Sequence, residues 1–106
     1  MSNKKSKQEL IKTLRGIGHE LNPIIIVGAS GLTPSVIEET ARALTDHELI
    51  KVKIPAGTSE ERKEIAQALA EATESQAVHR IGRMVLLFKK NPEANDKLSN
   101  LSRFGF

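Results

Sequence analysis

Apolar residues in this chain keep changing their spacing, and those changes limit the available folds more than composition does. Leu10, Leu14, Ile17 and Leu21 recur at intervals of four, three and four, the stripe of a helix. The run "PIIIV" that follows, from Pro23 to Val27, is unbroken and reads as a central strand, apolar on both sides. Ile37, Ala41 and Leu44 return to helical spacing. In "ELIKVKI" a period of two takes over, with Ile50, Val52 and Ile54 pointing one way and Lys51 and Lys53 the other. A third helix carries Ile65, Leu69 and Ala72, with Ala66 and Ala70 beside them. Strands at 77–81 and 83–89 then close around Gly82-Arg83.

The helix starts agree with this partition. Ser6-Lys7-Gln8-Glu9 and Thr58-Ser59-Glu60-Glu61 both fit a capping box, and Thr33-Pro34 is an N-cap followed by proline at the first helical position. Gly16 and Gly18 weaken the end of the first helix or let it pack closely on a neighbour. The resulting order is α-β-α-β-α-β-β. Helices between the first three strands favour crossovers onto one sheet, and the last two strands form a hairpin. The expected fold is a single two-layer α/β domain with a four-stranded mixed sheet. A chain of 106 residues is enough for one core. Residues 6–90 form the expected domain, with residues 1–5 and the polar stretch 91–106 loosely held.

Several chemistries lack their residues. There is no cysteine, hence no disulfide and no thiolate ligand, which is compatible with a cytoplasmic location. His19, His47 and His79 fall on different elements at no ligand spacing, so no metal or other cofactor is expected. "HELIK" begins like a metalloprotease helix but has Lys51 where the second histidine belongs. "GASGLTP" lacks the lysine and the spacing of a phosphate-binding P-loop. No serine stands beside a plausible base and acid, so no catalytic residues are assigned. No window approaches the roughly 20 apolar residues of a membrane helix, and no membrane partner is expected.

Charge is unevenly spread. The net charge is only +3, yet nine of the thirteen acids lie between Glu38 and Glu74. Five basic residues (Lys4, Lys5, Lys7, Lys12, Arg15) stand against Glu9 near the start, and Arg80, Arg83, Lys89 and Lys90 fall in a stretch without acids. Such segregation can build a basic face. Beside it, Gly28-Ala29-Ser30-Gly31 joins a strand to a helix. Glycine there lets a phosphodiester lie against the main chain, and successive loop amides can point at its oxygens. Pro34 has no N–H and Thr33 occupies another amide as N-cap, so anion contacts are expected around Ala29 to Leu32. With no Trp or Tyr and only three Phe, base stacking on paired aromatics is not expected. Backbone recognition remains.

"ELNPIIIVGASGLTPSVIEETARALTDHELIKVKI" followed by "RIGRMVLLFKK" resembles the YhbY-like family, bacterial single-domain members of the CRM class of RNA-binding domains. The resemblance covers roughly residues 6–90. It implies a fold similar to the C-terminal domain of translation initiation factor three, and a non-enzymatic RNA-binding role in assembly of the large ribosomal subunit. The family's RNA-contacting glycine loop falls on Gly28, Ala29, Ser30 and Gly31, its "GLT" on Gly31, Leu32 and Thr33, and "HELIKVK" on His47 to Lys53. Many members carry Lys or Asn inside the loop where this chain has Ala29 and Ser30, so more of the attraction must come from elsewhere. The expected set is therefore residues 28–32 with Lys12, Arg15, Lys51, Lys53, Arg80 and Arg83. RNA on ribosomal precursors is the expected partner of a monomer, with no small-molecule substrate. The main rival is a protein-interaction module whose basic face steers an acidic partner. His47 is expected to be a cap or core-edge residue.

Overall fold

The computed structural model describes residues 3–103. Its elements are α1 (Asn3–His19), β1 (Pro23–Ile26), α2 (Pro34–His47), β2 (Leu49–Lys53), α3 (Ser59–Ala72), β3 (Gln76–Ile81), β4 (Met84–Phe88) and α4 (Asn100–Arg103). The expected order is present, with α4 added. The strands lie in the order β1-β2-β4-β3. β1 and β2 are parallel, whereas β4 runs antiparallel to both β2 and β3. The sheet is therefore mixed.

β2 sits inside the sheet and sorts its neighbours. Ile50, Val52 and Ile54 are buried with Ile25, Val27, Val85 and Leu87 under Ala43 and Leu44 of α2 and Ala66, Leu69 and Ala70 of α3. On the opposite face, Leu49 and Leu86 pack with Leu14 and Ile17 of α1 and Leu101 of α4. Helices thus cover both faces, so α1 and α4 add a layer to the expected pair. The buried stripes of α2 and α3 are rotated slightly from the expected ones. Thr40 and Ala43 take the place of Ala41, and Ala66 and Ala70 that of Ala72, because helical residues three and four apart share a face.

Local signals explain the ends. Thr33 Oγ1 accepts from the Val36 amide at 3.2 Å, with Pro34 opening α2. Thr58 and Glu61 close a reciprocal capping box, and the Thr58 amide and hydroxyl hold the Glu61 carboxyl below its usual range. Ser6 stands inside α1, which begins three residues earlier, at Asn3, and not at the expected N-cap position. Gly18 lies against Leu86, and a Cβ there would overlap that side chain.

Two expectations are corrected. "PIIIV" is an edge strand, not a central one: Ile24 is 49% exposed and Ile26 60%. Pro23, which cannot donate to a ladder, is the residue that suits it to an edge. The stretch from residue 91 is anchored at Asn91 and at residues 99–101, with most of residues 92–98 exposed between them. Glu48, buried at the end of α2 with φ of 63°, accepts from the Asn91 amide at 2.7 Å and from Ser99 Oγ at 2.8 Å. Asn100 Nδ2 donates to the Leu49 carbonyl at 2.6 Å, and His47 Nδ1 lies 2.7 Å from the Leu98 carbonyl, which gives His47 its core-edge role. Residues 1, 2 and 104–106 lie outside the described residues. Among the described residues, no helix is long and apolar enough to cross a membrane.

Leu101 is 2% exposed between α1 and the sheet. Leu101→Ala is expected to cost about 2–5 kcal/mol in urea unfolding. A loss under about 0.5 kcal/mol, the range of surface changes, would mean that the segment contributes no core.

Candidate nucleic-acid interface

The loop that leaves β1 is held from below and open above. Val27 N–H still donates to the Lys53 carbonyl at 2.9 Å, and the Leu32 side chain packs on the α2–α3 core. Between them, Gly31 N–H donates to the Gly28 carbonyl at 3.0 Å, and Thr33 N–H to the Gly31 carbonyl at 3.0 Å. These two amides are consumed by the turn. Among the described residues, the amides of Ala29, Ser30 and Leu32 have no partner within the chain. Gly28, Ala29 and Ser30 are exposed. The Gly31 N–H is therefore spent within the turn, whereas the amides of Ala29, Ser30 and Leu32 are available to an anion.

The two glycines differ in kind. Gly31 has φ of +72°, a left-handed conformation that L-residues adopt only with strain. Gly28 has no such φ, and a Cβ built on it would meet nothing within 4 Å. Nothing in the fold of this chain requires glycine at 28. The space it leaves open faces outward.

Register places the cations. Lys53 pairs across the sheet with Met84, which pairs with Ile81, while Ile26 flanks Lys53 on β1. Cross-strand partners share a face, so Ile26, Lys53, Met84 and Ile81 form one row on the α1 side, at the end where the loop begins. α1 leaves this row largely uncovered: Ile26 and Ile81 are 60% and 67% exposed, although Ile81 and Met84 line a hollow with Arg15, Gly18 and His19 of α1. In the next row Lys51 pairs with Leu86 and Leu86 with His79. Here α1 does approach, and Arg15 lines the same hollow as Lys51 and His79. Lys12 lies further along α1, lining an adjoining hollow with Arg15. Lys53, Lys51, Arg15 and Lys12 thus follow one another on a single side of the sheet.

The other two expected cations do not join them. Arg80 pairs with Val85, whose side chain is buried under α3, so Arg80 faces the opposite side, 3.5 Å from Ser59 Oγ. Arg83 stands at the hairpin end of the sheet, with Nε donating to the Pro55 carbonyl at 2.9 Å. The acids Glu38, Glu39, Glu60, Glu61, Glu64 and Glu71 ride on α2 and α3, across the sheet from α1. Sequence reasoning missed His19 and His79 beside Arg15, and the exposed apolar row. His79 is pushed below the usual histidine range, first by burial and then by the Arg15 guanidinium.

Comparison with known proteins identifies the family. The CRS1/YhbY (CRM) domain family matches residues 7–89. This chain belongs to that family. It is 45% identical over 97 residues to a Pseudomonas aeruginosa protein named "Probable RNA-binding protein", covering 92% of this chain and 93% of that one. A Haemophilus influenzae protein named "RNA-binding protein" is 38% identical over 85 residues, covering 80% of this chain and 86% of the relative. Among solved structures, a Staphylococcus aureus protein studied in solution and described as a candidate RNA-binding protein superposes with a TM-score of 0.71. It has 32% sequence identity, covering 78% of this CRM chain and 86% of its own. The family boundary at residue 89 falls at the end of β4, so the packed segment after it lies outside the matched domain.

Gly31→Ala should lower stability by about 1–2 kcal/mol through its left-handed φ, whereas Gly28→Ala should stay within about 0.5 kcal/mol. Thermal unfolding of the two variants checks this. Equal losses would mean that Gly28 is also held by the fold.

Proposed function

We propose that this CRM chain is a non-enzymatic RNA-binding protein that grips the backbone of structured RNA. The observation that carries this reading is the coincidence, at one end of the sheet, of three amides without a partner among the described residues, an unfilled space over Gly28, and the row that holds Lys53, with Lys51 in the row behind it. Amides in a turn offer a concave donor set to a phosphate oxygen. Lysines beside it supply the long-range attraction that the uncharged Ala29 and Ser30 do not. The RNA-binding names of the relatives support RNA as the partner. The finer reading rests on the family resemblance in the sequence: ribosomal RNA, bound by a cytoplasmic monomer during assembly of the large subunit. Backbone contacts favour shape and phosphate over base identity.

The exposed Ile26 and Ile81, in one row with the half-buried Met84, favour a second reading, in which a protein partner docks on the sheet. Salt separates the two. Three or four neutralised phosphates give a log–log slope near −2 to −3, at roughly −0.7 per contact on single strands. Lys51→Glu should weaken binding alike across RNA sequences and reduce that slope by about one. A flat salt response with tight capture of a protein would favour the second reading. Crosslinking in cells, with sequencing of the bound RNA, tests the ribosomal assignment, and recovery of RNA without enrichment of large-subunit sequences would overturn it.

A further inference from the structure

α1 does not lie flat on the sheet. It leaves a hollow of about 600 Å³ lined by Lys12, Arg15, His19 and His79, and an adjoining one of about 100 Å³ lined by Arg15, His19, His79 and Lys51. Arg15, His19 and His79 are common to both, so the two form one cleft. Among the described residues, no carboxylate lines either hollow. We propose that this cleft is a second backbone site, which takes a phosphodiester of the same RNA strand that the glycine loop holds and takes up a proton on His79 as it does so. This rests on the RNA-binding reading above.

The path is set by the strand. Lys53 stands in the row beside the loop, and Lys51 two residues back along β2, about 7 Å away at the rise of a strand. Lys51 already lines the cleft. A strand of RNA leaving the loop therefore meets Lys53, then Lys51, then Arg15 and His79. Guanidinium and imidazole nitrogens at the cleft are donors suited to phosphate oxygens.

The histidines make this site different from a lysine patch. His79 faces Arg15, Lys12 and His19 from α1 and Lys51 from β2, with Met84 and Leu86 of β4 uncharged. From the far side of its own strand come Arg80 and, on α3, Lys63. Among the described residues its charged neighbours here are cations, and burial first, then the Arg15 guanidinium, disfavours the charged form of the free imidazole. A phosphate in the cleft reverses the sign of the local field and favours the imidazolium. Binding then takes up a proton. Affinity must rise as pH falls through the window between the histidine's phosphate-bound value and its lower free value, and level off above that window.

The test has two arms. In the first, the His79 imidazole of the full chain is titrated by NMR in chloride and in inorganic phosphate at equal ionic strength. Its titration should move to higher pH in phosphate, and less so in Arg15→Gln. In the second, binding of a labelled RNA hairpin with single-stranded flanks is measured from pH 8 to 6. Affinity should rise by up to about tenfold per pH unit within the window for one proton taken up. His79→Gln should flatten that profile. Gly28→Asp should weaken binding at every pH and keep the wild-type slope. An imidazole titration indifferent to phosphate, or an unchanged pH profile in folded His79→Gln, overturns the cleft and leaves the loop reading intact. Failure of the wild type to bind RNA overturns the loop reading, whereas the phosphate titration still decides whether the cleft takes an anion.

Discussion

The period of two along β2 governs everything above it. In the interior of the sheet, Ile50, Val52 and Ile54 must go to one face, and each is at most 2% exposed there. Lys51 and Lys53 are then forced to the other. Were the register to slip by one residue, two lysines would enter the core and three branched apolar residues would leave it. The burial energy of that core, about 25 cal/mol for each Å² of apolar surface, fixes the lysines in place. The cationic face is a by-product of packing. It needs no ion pairs to hold its positions.

The sheet also works as a divider of charge. Most of the acids belong to helices whose apolar faces demand the Ile50 side, and Lys12 and Arg15 to a helix that covers the Leu49 side. A net charge of +3 is thus compatible with a face that carries mainly cations. The glycine loop adds directionality. A lysine attracts phosphate from any angle, but the free amides of a turn donate to it from one. Gly31 shapes that turn and Gly28 leaves room above it, two tasks that look identical in the sequence.

Much of this was legible in the sequence. The element order, the Thr33 and Thr58 caps and the alternation of β2 are local rules, and each is present. The edge position of β1 was legible too, but four consecutive branched residues outweighed Pro23, whose missing N–H was the better guide. The faces of Arg80 and His79 were not legible. They depend on the pairing of β3 with β4, and that pairing carries an irregularity between Ala77 and His79 that resets the alternation. The packed segment after residue 91 was hidden for another reason. Its anchors are a buried glutamate, a serine and two asparagines, polar residues that read as surface until Glu48 and Leu49 are seen to bond them.

The central claim is that RNA meets bare main chain at the loop, on the side of the sheet that carries Lys51 and Lys53. Backbone amide spectra of labelled protein, recorded as RNA is added, test it residue by residue. The account predicts the largest shifts at Ala29, Ser30 and Leu32, smaller ones along Lys53, Lys51 and Arg15, and none at Glu39 or Glu64. Shifts centred on α2 and α3, with the loop amides unmoved, would contradict it.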